Sequence, residues 1–271
     1  MIKDITIGQY YPADSFVHKL DPRGKILLTV MFIVLIFLCK NLLALALMII
    51  VLLVTIFASK VPLKMFLKSI KPILPIIIFT AVLNVFYVSG GKELVSFWVL
   101  KITTKGLMTA LFMSVRIITL IMASSILTYT TTPTMLTDGL ERLLSPLNVF
   151  HIQVHTLAMM MTLALRFIPT LIEEIDRITN AQKARGADLE SGSLIQRAKA
   201  LVPILIPLFV SAFRRAYELA FAMECRCYHG GEGRTRMKKM KFGMRDVAAF
   251  FVVLLSIAGV VVLNIFFGAV I

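Results

Sequence analysis

Acidic side chains are scarce in this chain. It has 15 Asp and Glu against 29 Lys and Arg, a net charge of +14 over 271 residues. Cysteine (3) and tryptophan (1) are rarer still. Cys39, Cys225 and Cys227 are too few for a disulfide framework, and the last two, expected to be cytoplasmic, read as free thiols. The pattern G-x-x-x-x-G-K-[ST] is missing, which excludes ATP binding through a P-loop. H-E-x-x-H and G-x-S-x-G are missing too. His18, His151, His155 and His229 are scattered along the chain. Cys225 and His229 stand one helical turn apart, but structural zinc takes four ligands and a fourth is not evident. No catalytic residue, metal site or bound cofactor is therefore expected. The first 22 residues mix Asp and Lys without an apolar run and are no signal peptide.

What remains is apolar. Hydrophobic residues make up 58% and the mean hydropathy is +0.87, too high for a soluble domain. The composition predicts an all-α, polytopic membrane protein. Its basic excess then points to cytoplasmic segments rather than nucleic acid, because Lys and Arg stay inside. It also predicts attraction to anionic headgroups of the lipid bilayer.

The hydropathy pattern predicts five transmembrane helices. Residues 26–39 and 42–59 read as a tight hairpin with Lys40-Asn41 at the outer turn. Lys60, Lys64, Lys68 and Lys71, with no acid among them, mark a cytoplasmic segment. A third span covers 72–88, an external loop 89–105 holds Trp98, and a fourth span covers 106–129. Residues 247–271 form the last, so the N-terminus is cytoplasmic and the C-terminus outside. Asn84 and Arg116 lie inside spans, where charge often marks function; snorkelling or pairing with a protein carbonyl is the preferred reading of Arg116.

Between the fourth and last spans lies a polar, basic insert. Thr132-Pro133 opens a short interfacial helix that runs to about Leu144, with Thr as N-cap and Pro in the first turn. A long helix follows from about Ile152 to Ala184. Counting its apolar start as a sixth span would break the sidedness, and Arg166, Pro169 and the acids that follow suit the interface. Ser193 with Gln196 forms a capping box for a second long helix, to about Tyr228, with Pro203 and Pro207 inside. Each would reach about 45–50 Å at 1.5 Å per residue. The organisation expected is a transmembrane region over 1–131, a cytoplasmic region of two long coupling helices over 132–242, and a C-terminal span over 243–271.

Both long helices end on an arginine between small residues, Ala184-Arg185-Gly186 and Cys225-Arg226-Cys227. Small neighbours leave a guanidinium open to a partner, and its fork suits carboxylates. A cation at a helix C-terminus also complements the macrodipole, worth about 0.3–1 kcal/mol, so a single such arginine would say little. Two with matching neighbours favour a paired docking site. Other readings fit less well. An intramembrane enzyme needs a nucleophile or metal set, a self-sufficient secondary carrier shows internal repeats, and lipid-binding amphipaths would depend on Lys238, Lys239 and Lys241 rather than on Arg185.

The two arginine motifs, Gly8-Gln9-Tyr10 with Ser15, and His18-Lys19-Leu20-Asp21-Pro22-Arg23 resemble the transmembrane T component of energy-coupling factor (ECF) vitamin transporters, the EcfT/CbiQ-like family. The resemblance covers essentially the whole chain. The family's tripeptide is Ala-Arg-Gly. The first motif matches it; the second keeps Arg226 but sets cysteines around it. The resemblance implies that Ala184, Arg185, Gly186, Cys225, Arg226 and Cys227 dock two ABC-type ATPases, which carry the ATP and Mg²⁺. It also implies a small membrane-embedded S component that binds a vitamin or metal ion and decides the cargo. The long helices would carry the ATPases' motion to it. Met159, Met160 and Met161 are candidate contacts for the S component, since unbranched Met suits a surface with interchangeable partners.

Overall fold

The structure is a computed structural model and describes residues 10–88, 90, 93–97, 100–150, 153–187, 193–230 and 242–267. In chain order the helices are α1 (Pro22–Leu38), α2 (Leu42–Ser59), α3 (Leu63–Ile70), α4 (Leu74–Tyr87), α5 (Thr104–Thr130), α6 (Pro133–Leu144), α7 (Val154–Ala184), α8 (Leu194–Glu224) and α9 (Met244–Phe266). Short 3₁₀ turns join α3 to α4 and follow α6. The helical, polytopic expectation holds.

Local signals placed many of the ends. Asp21 caps α1 by accepting the Arg23 N–H at 3.0 Å, with Pro22 at the first position. The Thr132 hydroxyl accepts the Met135 N–H at 3.3 Å and opens α6. Ser193 and Gln196 make the expected capping box on α8. One expectation changes. Residues 89–105 are not simply a loop: β1 (Glu93–Phe97) and β2 (Leu100–Thr103) pair antiparallel, Phe97 against Leu100, with an irregularity between Glu93 and Val95. Trp98 lies outside the described residues. The lysine-rich segment before the third span is the helix α3, with Phe66 fully buried beside exposed Lys64 and Lys68. α3, the turn and α4 run on as one apolar stretch, because Pro72 and Pro75 sit in first turns where no N–H is missed.

By length and composition six described helical stretches can cross a membrane: Leu42–Ser59, Leu63–Tyr87, Thr104–Thr130, Val154–Ala184, Ile195–Glu224 and Met244–Phe266. They include α7 and α8, which the sequence reading sets outside the bilayer. They leave out α1, which has 17 residues.

The chain divides into two compact units, one of residues 6–140 with 239–271 and one of 1–5 with 141–238. In the first, α1, α2, α5 and α9 pack together and α4 lies on α5. The stripe Leu45, Met48, Leu52 and Ile56 of α2 is buried against Phe32 and Ile36 of α1, Phe112 of α5 and Val260 of α9. Val30, Val34, Phe37, Ile50 and Phe57 face outward and exposed, which suits hydrocarbon and not water. Arg116 meets its expected partner: it donates to the Cys39 carbonyl and lies 4.5 Å over the Phe112 ring. Asn84 donates to Thr80 of its own helix at 2.8 Å.

A polar knot ties the bundle where α1 and α9 begin and α5 ends. Asp246, only 3% exposed, accepts the Asp21 N–H at 2.8 Å and reaches back to the Gly243 N–H at 2.8 Å. Lys25 donates to the carbonyls of His18 (3.2 Å) and Thr130 (3.0 Å) and to the Thr131 hydroxyl (3.3 Å). His18 Nε2 lies 2.9 Å from the Tyr11 carbonyl, an acceptor only, so Nδ1 accepts from the Ser15 hydroxyl at 2.7 Å. Desolvation by burial lowers the His18 pKa and favours this neutral imidazole.

Candidate docking site at two helix tips

In the second unit α7 and α8 lie antiparallel. Gln182 donates to the Pro203 carbonyl at 3.3 Å, Arg215 pairs with Glu174 at 3.1 Å, and the Tyr228 hydroxyl donates to Met159 Sδ at 3.0 Å. The first contact has a local cause. Pro207 lacks the N–H that would bond the Pro203 carbonyl one turn back, and the Gln182 amide takes its place. Pro203 and Pro207 both sit inside α8 without ending it.

Both arginine motifs end their helix in the same way. At the first, the Gly186 N–H bonds to the Lys183 carbonyl and the Ala187 N–H to the Gln182 carbonyl, each at 3.0 Å. At the second, the Cys227 N–H bonds to the Glu224 carbonyl at 2.8 Å and the Tyr228 N–H to the Met223 carbonyl at 3.0 Å. These are two Schellman closures in identical register. Arg185 and Arg226 each stand one residue before the left-handed residue, Gly186 at φ 84° and Cys227 at φ 55°. Ala184, Arg185, Gly186, Cys225, Arg226 and Cys227 are all exposed. The likeness read in the sequence is thus a likeness of backbone, and it presents both guanidiniums from the same cap position.

The antiparallel pairing sets the two tips at opposite ends of the α7–α8 pair. Arg185 falls near the level of Val202, and Arg226 lies some two dozen residues further along α8. At 1.5 Å per residue the two are on the order of 35 Å apart. The residues therefore form two separate contact points and no single pocket.

The cysteine at the second tip has a cost. Gly186 takes the left-handed conformation freely, with nothing within 4 Å of the place a Cβ would occupy. Cys227 adopts it with a side chain, a strain of about 1 kcal/mol. Cys227→Gly is expected to raise the stability of this helix end by about that amount, read as slower amide hydrogen exchange at Cys225–Tyr228; unchanged exchange would refute the strain. Because the chain reverses at Cys227, Cys225 and His229 do not share a helical face, contrary to the spacing argument for a metal.

The contact that sequence reasoning missed is Tyr228. It follows Cys227 directly, bonds Met159, and with Leu163, Phe167, Ala220 and Met223 lines a cavity between the two helices. The arginine-226 tip is thereby fastened to the methionine cluster of α7, where Met160 and Met161 are 52% and 44% exposed. Nothing in the local pattern signals a pairing 69 residues apart.

Comparison with known proteins now adds the family. Residues 13–237 match CbiQ, described as a cobalt transport protein. The energy-coupling factor transporter transmembrane protein EcfT of Clostridium kluyveri is 51% identical over 269 residues, 99% of this chain and all of that protein. The protein of the same name from Ruminiclostridium cellulolyticum is 51% identical over 247 residues, 91% of this chain and 92% of that protein. That from Listeria innocua is 45% identical over 246 residues, 91% and 93% of the two chains. With helices built to cross a membrane and this likeness along nearly its whole length, the chain belongs to the CbiQ/EcfT family of energy-coupling factor transporter transmembrane components.

Proposed function

We propose that this protein couples two ABC-type ATPases to a small membrane-embedded, cargo-binding S component. The observation that carries the reading is the pair of identical Schellman-capped, exposed arginines at opposite ends of α7 and α8. Two like tips held apart suit two like partners, one to each. ATP and Mg²⁺ belong to the ATPases, whose opening and closing moves the tips; this chain binds no cofactor and catalyses nothing itself. The cargo, a vitamin or metal ion, is chosen by the S component. Five spans keep the N-terminus in the cytoplasm and the C-terminus outside, with α7 and α8 on the cytoplasmic side as coupling levers between residues 132 and 242.

Met159, Met160 and Met161 are the proposed S-component contact. Through Tyr228 and Met159 the motion of the Arg226 tip reaches that surface directly. Met160→Lys is expected to abolish S-component binding and leave ATPase binding unchanged. Co-purification of both partners with this variant would remove the patch from the mechanism. The test of the whole reading is detergent extraction from the native membrane, with bound proteins identified by mass. Two ATPases and a small integral membrane protein support it. The chain alone, active in transport when reconstituted, would instead make it a self-sufficient carrier.

A further inference from the structure

Within the first unit, α2 and α9 are close at one end and part at the other. Near the α1–α2 turn Asn41 donates to the Leu263 carbonyl at 3.0 Å and to that of Phe267, and Asn264 donates to the Leu38 carbonyl at 2.8 Å. There the Leu47 side chain comes within 3.3 Å of the place a Cβ on Gly259 would fill. Towards the opposite end the helices leave an apolar cavity of about 220 Å³. Val54, Thr55 and Ala58 of α2 and Ala249, Val252 and Val253 of α9 are among its walls. Val54 and Val252 are 62% and 50% exposed, so the cavity opens sideways where the helices meet hydrocarbon. Lys25 also lines it, but its three N–H donors already bond His18, Thr130 and Thr131. The interior therefore offers apolar contact and no unused ammonium N–H.

Two basic residues stand at the ends of these helices on that side. Arg245 precedes Ala249 by one helical turn, on the same face of α9. Lys60 lies two residues past Ala58, in the left-handed cap of α2. Both are exposed, and neither is ion-paired among the described residues. A helix about 10–12 Å across does not enter a cavity of this volume, whereas part of a single hydrocarbon chain does. Water gains nothing from apolar walls.

We propose that this cleft seats one acyl chain of an anionic phospholipid, with the headgroup phosphate against Arg245 and Lys60. The inference stands on the membrane unit alone and is independent of ATPase docking.

The test uses the full chain, purified in detergent, stripped of lipid and then given phosphatidylglycerol or phosphatidylcholine. Lipid retention is read by native mass spectrometry and stability by the unfolding temperature. The wild type should retain one phosphatidylglycerol in preference to phosphatidylcholine, with a rise in unfolding temperature. Ala249→Phe, which fills the cleft, should lose both the retention and the rise. Lys60→Gln with Arg245→Gln should keep the acyl contact and lose the preference between the two lipids. Should Ala249→Phe fail to fold, Ala58→Leu fills the same space less severely and is read in the same way. Equal phosphatidylglycerol retention by the wild type and a folded cleft-filling variant overturns the proposal. So does a cleft-filling variant that keeps its lipid but no longer co-purifies with a small membrane protein, which would make the cleft a protein contact.

Discussion

Arg185→Ala combined with Arg226→Ala should abolish recovery of the ATPases with this chain while the protein still inserts and purifies. Both side chains are exposed, and the cap turns close through backbone hydrogen bonds, so truncating them leaves the fold alone. In the proposed docking, each guanidinium would be buried against acceptors on the partner. Removing one side of a desolvated, hydrogen-bonded charge pair costs about 2–5 kcal/mol, or roughly thirty-fold to several thousand-fold in affinity per tip. Each single variant should therefore lose one ATPase contact and keep the other, because tips on the order of 35 Å apart cannot substitute for one another. Replacement by lysine should rescue poorly, since an ammonium lacks the planar fork. The check is a pull-down with quantified ATPases, with transport measured in proteoliposomes. Normal ATPase recovery by the double variant would sink the docking assignment.

Asp246→Ala should be the most damaging single change in the membrane unit. This carboxylate, nearly out of contact with solvent, holds the first turn of α9 to the N-terminus of α1 through the Gly243 and Asp21 N–H groups. Truncation leaves both donors without their acceptor, at about 1–3 kcal/mol for each one that stays buried. The expected loss is about 2–5 kcal/mol. Asp246→Asn retains an acceptor oxygen and should lose clearly less. The unfolding temperature in detergent decides it: equal temperatures for the wild type and the alanine variant would show that the knot contributes nothing. The arginine tips lie in the other unit, so ATPase docking by whatever Asp246→Ala protein remains folded should be normal. That separates stability from coupling.

Much of the fold was legible because it is written in short-range chemistry. Thr132-Pro133 and Ser193 with Gln196 each fix a helix start within three residues; Asp21-Pro22 does the same for α1, where the sequence reading begins the span only at residue 26. The uncharged runs of α2, α5 and α9 need no partner to be recognised. The two arginine motifs could be matched by eye because small-Arg-small is contiguous. The hairpin of β1 and β2 was missed: nine strand residues around a two-residue link are too short for alternation to stand out from a mixed loop. The sequence reading has Asp246 only as the residue just before the uncharged run of 247–271, although its spacing from Gly243 is that of half a capping box.

By itself the sequence determined a helical membrane protein, the ends of many of its helices and the identity of its exposed tips, because hydropathy and capping act over one to four residues. Tertiary structure alone decided the antiparallel register of α7 and α8. It thereby decided that the tips stand apart, that Tyr228 rests on Met159 and that Gln182 serves the carbonyl Pro207 leaves free. It also decided that Asp246 reaches Asp21, 225 residues away, and that α2 and α9 part to leave a cleft. These are outcomes of packing between segments far apart in the chain. Their free energy depends on which side chains meet, and no local pattern records that.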